Sequence, residues 1–99
     1  MPVEPITKTK SSFYRRLLVA KLIDKGINTV PAIMAETGMP RRTAQDTISA
    51  LQELDIQCVF EGANKDGGYV IADWGPINKK WLSQQLADIQ AALGYPAVS

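Results

Sequence analysis

The chain of 99 residues, 45% of them hydrophobic and 21% charged, is long enough for one modest core and too short for two. Its single cysteine excludes an internal disulfide, and the absence of histidine excludes Ser-His-Asp and Cys-His catalysis and the usual zinc sites. The net charge of +1 conceals an uneven spread: residues 1–42 carry eight basic and three acidic side chains, residues 43–99 three basic and seven acidic, a division compatible with one basic face.

Residues 1–11 contain Pro2, Pro5, Lys8 and Lys10 and read as a flexible basic arm. Ser11 or Ser12 can cap a first helix running to Lys25, with Gly26 as its left-handed stop. Phe13, Leu17 and Ala20 trace one line along this helix and Tyr14, Leu18 and Leu22 the next. Together they make a broad apolar face, off which Arg15, Arg16, Lys21 and Lys25 mostly lie. The apolar run Leu17–Ile23 is interrupted by Lys21 and falls far short of the roughly 20 residues that span a bilayer. It has no small-residue cleavage site either, so a cytoplasmic location without a membrane partner is expected.

Ile27–Val30 is β-branched and bounded by Gly26 and Pro31, which predicts a brief strand. Pro31 then opens a short second helix ended by Gly38, with Ile33, Met34 and Thr37 facing inward. So short a helix holds only by packing on its neighbours. The Gly38-Met39-Pro40 break leads into a third helix, Pro40 to Leu54, on which Ala44, Ile48, Leu51 and Leu54 recur as one buried stripe. The opposite face holds Arg42, Gln45, Asp46 and Ser49, with Arg41 and Thr43 at the helix start. Arg and Gln reach base edges, and Arg and Thr bind phosphate, so the pattern suits a helix laid into a major groove. Many solvated helix faces share that composition, and the order of the flanking elements has to separate the two.

Ile56–Glu61 and Tyr69–Trp74 read as strands joined by the Gly62–Gly68 loop, a hairpin in which Cys58 packs as a small hydrophobe. Gly75 and Pro76 open a last helix that runs to Leu93 and is ended by Gly94, leaving a featureless tail at 95–99. Leu82, Leu86, Ile89 and Leu93 are spaced four, three and four apart. Such spacing serves either a coiled-coil dimer seam or a face packed on the chain's own first helix.

The stretch 36–56, ETGMPRRTAQDTISALQELDI, has a turn glycine, a polar helix start with Thr43, inward Ile48 and Leu51, and a strand-opening Ile56. YVIADWG at 69–75 has an aromatic, an aliphatic two residues later and a closing glycine. With these motifs the chain resembles the bacterial winged helix-turn-helix domains of DNA-binding transcriptional regulators. The resemblance implies an α+β, mainly α fold: a three-helix core plus β-hairpin wing over 12–75, with an added C-terminal helix over 76–94. It implies a recognition helix at 40–54 in the major groove of double-stranded DNA and a wing tip at 62–68. Arg42, Gln45, Asp46 and Ser49 would read bases. Arg41, Thr43, Lys65, Lys8 and Lys10 would contact phosphates, and Leu82, Leu86, Ile89 and Leu93 would form a homodimer interface. No enzymatic activity, cofactor, metal or small-molecule ligand is implied. Two positions depart from the pattern: Met34 stands where a small residue is usual, and Asp55 where a glycine usually ends the recognition helix. The near-neutral charge, Asp46 and a wing tip with Lys65 as its one cation keep open a different use, a protein-interaction module without DNA binding.

Overall fold

The computed structural model describes residues 7–62 and 67–94. Four helices and one hairpin follow in the order α1 (Lys8–Asp24), α2 (Val30–Thr37), α3 (Arg41–Ala50), a 3-10 turn (Leu51–Leu54), β1 (Gln57–Glu61), β2 (Gly68–Asp73) and α4 (Lys79–Leu93). Helix α1 starts earlier than Ser11 or Ser12, because the Thr7 hydroxyl accepts the Lys10 N–H at 3.1 Å and caps it. Lys8 and Lys10 therefore belong to a helix and not to an arm; residues 1–6 lie outside the described residues.

Burial on α1 is wider than one face. Leu17, Leu18, Val19, Ala20, Leu22 and Ile23 are all buried, since α3, α4 and β2 pack around this helix from different sides. Only the charged Lys21 interrupts the run, and its ammonium reaches Asp24 at 3.9 Å. Ile27–Val30 forms no strand. The Thr29 hydroxyl accepts the Ala32 N–H at 3.2 Å and starts α2 at Val30 instead. Asn28 still meets the hairpin: its carbonyl accepts the Tyr69 N–H at 2.8 Å, and its side-chain amide donates to the Tyr69 carbonyl at 3.1 Å.

Helix α2 ends at Gly38, whose φ of 79° places it in the left-handed region that a side chain would strain. Thr37 behind it is buried but satisfied, donating to the Ile33 carbonyl at 2.8 Å and accepting from Met39 at 3.2 Å. Pro40 is the cap of α3, extended in backbone, and not its first helical residue. The predicted helix to Leu54 tightens to 3-10 over its last turn and leaves it through Asp55, at φ 61°. Aspartate tolerates that conformation better than most residues, which accounts for its standing in a glycine's place. Ile56 drops out of β1 because its N–H bonds the Leu51 carbonyl at 3.2 Å, so it is buried and β1 begins at Gln57.

The hairpin pairs Cys58 with Ile71, Val59 with Val70 and Phe60 with Tyr69, with a register shift near Gln57. Cys58, Tyr69 and Ile71 pack on the core, while Val59 and Val70 turn outward. Gly75, at φ 58°, passes so close to the Asp55 carbonyl that a Cβ would collide with it. The turn from Trp74 to Ile77 uses Pro76 as a corner, so α4 starts only after Asn78 caps the Trp81 N–H at 2.9 Å.

Helix α4 lies on α1. Leu82 and Ile89 are fully buried in the domain's own core, and Leu86 and Leu93 pack half-buried against it. Two of the four residues expected at a dimer seam, Leu82 and Ile89, are thus covered by the chain itself, whereas Leu86 and Leu93 keep part of their surface exposed. Among the described residues, no helix is long and apolar enough to cross a membrane.

Candidate nucleic-acid interface

Helix α3 separates two faces by its own periodicity. Ala44, Thr47, Ile48 and then Leu51 are buried against the core, and the Thr47 hydroxyl is satisfied by donating to the Thr43 carbonyl at 2.6 Å. Arg41, Arg42, Gln45, Asp46 and Ser49 point away and are exposed, with neither the hairpin nor α4 lying over them. The side chains of Arg42 and Asp46 are 92% and 74% exposed. They pair with each other at 3.8 Å, one turn apart. In that solvated setting the pair is worth only about 0.3–0.5 kcal/mol, so either side chain is free to exchange it for another partner.

The four positions predicted to read bases therefore share one open surface, and Arg41 stands beside them in the first turn. Thr43 is half-buried and turns toward α1. Lys8 and Lys10 are exposed in the opening turns of α1, where the Lys10 ammonium sits 5.4 Å from the centre of the Tyr14 ring. Lys65, at the wing tip, lies outside the described residues.

Each flank of α3 is bordered by a depression. Toward α1 a groove of about 260 Å³ is lined by Ser12, Arg15 and Arg16 of α1 and by Thr43, Asp46, Thr47 and Ala50 of α3. Toward the hairpin a cleft of about 300 Å³ is lined by Ile48, Ser49, Gln52, Ile56, Cys58 and Tyr69. The first groove holds cations at its rim. Arg16 reaches Glu53 at 3.5 Å, its own side chain 28% exposed and that of Glu53 65%. The second is uncharged, and burial pushes the Cys58 thiol up, away from the reactive thiolate.

Sequence reasoning left Ser12, Arg15 and Arg16 outside the site. Their spacing along α1 showed that they share one side of that helix, but which neighbour that side would meet is a matter of how α1 crosses α3.

Known proteins share this architecture. The family described as winged helix-turn helix matches residues 8–93. The crystal structure of a DUF2131 family protein from Shewanella amazonensis SB2B superposes with a TM-score of 0.85 at 31% sequence identity, covering 92% of this chain and 91% of that one. No curated protein matches the chain.

Proposed function

Because the chain belongs to the winged helix-turn helix family, a nucleic-acid-binding fold, we propose that it binds double-stranded DNA sequence-dependently as a small transcriptional regulator. The observation that carries this reading is the uncovered row Arg42, Gln45, Asp46 and Ser49 on α3, opposite the buried Ala44, Ile48 and Leu51. A helix fits a major groove roughly 12 Å wide, and this row is what it would turn toward the bases.

Arg42 offers a bidentate fork suited to guanine, and Gln45 the donor and acceptor pair suited to adenine. Asp46 either holds the Arg42 guanidinium in position or accepts from a cytosine amino group. Arg41 and Thr43 anchor the first turn on phosphates, where the helix N-terminus adds its own positive end. One copy of so small a domain neutralises few phosphates, so useful specificity calls for two copies on neighbouring half-sites. Leu86 and Leu93, which keep part of their surface exposed on α4, offer these copies a contact.

Selection of bound sequences from random duplex DNA, followed by titration of Arg42→Ala on the winner and on random duplex, tests the proposal. The expected loss is about 1–3 kcal/mol on the selected site and much less on random sequence. Equal losses on both would remove the base-reading role.

A second reading has its own support: Val59, Phe60 and Val70 are exposed on the hairpin, which favours a protein-interaction module. Heparin retention and a salt-dependent shift with random duplex separate the two, since an interaction module shows neither.

A further inference from the structure

We propose that the groove between α1 and α3 seats DNA backbone phosphates, with Arg15 and Arg16 as its cations and the Thr43 hydroxyl as a neutral donor. The inference rests on the DNA-binding reading above and adds α1 to the interface. A helix lying in a major groove is bounded on both sides by phosphate-bearing strands. On α3 the two flanks differ in charge: the α1-side groove is lined by two guanidiniums and one carboxylate, Asp46, whereas the described lining on the hairpin side, with Ser49, Gln52 and Tyr69, is uncharged. Coulombic capture of a strand therefore falls to the α1 side.

The groove is built for exchange. The stem of Arg16 is packed and its head lies at the rim, held by a carboxylate that is itself mostly solvated. A water-screened pair of this kind is weak, and a phosphate offers the same planar fork two oxygens with no protein side chain to order. Asp46, the other acid at this groove, pairs with Arg42 at 3.8 Å. Lys8 stands four residues before Ser12 and seven before Arg15, on the same side of α1, and extends the cationic edge toward the start of the helix. Three of the eight basic side chains of residues 1–42, those of Lys8, Arg15 and Arg16, thereby acquire a location along the edge of α1 that borders α3. At the far end of the same helix Lys21 and Lys79 are engaged with Asp24, at 3.9 and 3.1 Å.

The test is titration of a short random-sequence duplex at several salt concentrations with the wild type, the Arg15→Gln/Arg16→Gln double variant and Glu53→Gln. In the double variant the slope of log K against log salt becomes shallower by about 0.9 for each phosphate that is no longer neutralised, and affinity falls by the same factor on random and selected duplexes. Arg15→Lys/Arg16→Lys keeps most of the slope. Glu53→Gln, at a solvated position that leaves the fold intact, tightens binding several-fold; Asp88→Asn on α4 does not, and the gain disappears in the double variant. A double variant that is folded, keeps the wild-type slope and still loses affinity on Arg42→Ala overturns the groove and leaves the α3 reading standing. Failure of Glu53→Gln to tighten binding overturns it as well. A wild type that shows no salt-dependent duplex binding overturns both.

Discussion

Replacing Leu82 by alanine separates the two roles that the α4 row can have. Leu82 has no exposed surface and belongs to the same core cluster as Leu17, Leu18, Leu22 and Ile89. The substitution removes three carbons, a transfer loss of about 2.4 kcal/mol at roughly 0.8 kcal/mol per buried methylene. A further cost arises from the cavity that α1 and α4 cannot fully close, which brings the total to about 3–4 kcal/mol. For a domain whose total stability is on the order of 5–10 kcal/mol, that is a third or more of the whole. The thermal midpoint should drop by roughly 12–30 °C, at about 4–8 °C per kcal/mol for this size. The assay is urea unfolding followed by tryptophan fluorescence at two protein concentrations, with Gln84→Ala on the exposed side of α4 as a control expected to stay within about 0.5 kcal/mol. If the row packs on its own chain, Leu82→Ala loses the full amount at both concentrations. A loss below about 1 kcal/mol, or one that shrinks as the protein is diluted, would refute the reasoning.

Gly75→Ala should cost about 2 kcal/mol or more, because the residue combines a φ of 58° with an approach to the Asp55 carbonyl that leaves no room for a Cβ; an unchanged urea midpoint would show that the Trp74–Ile77 turn can yield. Thr29→Ala and Asn78→Ala each remove a side chain that caps a helix, at 3.2 and 2.9 Å. Each should lower stability by about 1 kcal/mol in chemical denaturation, against which an effect under about 0.3 kcal/mol would count. Cys58 is raised above its ordinary 9.0 by burial, so the folded state favours the neutral thiol. Its contribution is present in full below the unfolded thiol's value and is lost as pH rises through the folded one. Wild-type stability should therefore fall more steeply than that of Cys58→Ala above about pH 9, and parallel profiles would refute the assignment.

The division of α3 into a buried stripe and an open polar row was legible in residues 41–54 alone, as were the Gly38 cap and the two hairpin strands. All of these depend on spacings of two, three or four residues, or on what one glycine or proline does to its own backbone. Element boundaries were less legible where two local signals competed. Thr29 won Val30 for a helix over its β-branched preference for a strand, and Asn78, not Pro76, opened α4 because a turn at Trp74–Ile77 came first.

The sequence by itself determined which side of each helix is apolar and which residues of α3 can face outward, since helical periodicity relates only near neighbours. Only the tertiary structure decided what meets those sides. It placed the Leu82 and Ile89 row against α1, buried the second half of α1 nearly all round, and set Arg15 and Arg16 beside Thr43. Those outcomes depend on crossings between segments dozens of positions apart, and an apolar stripe carries the same pattern whether its cover comes from its own chain or from another.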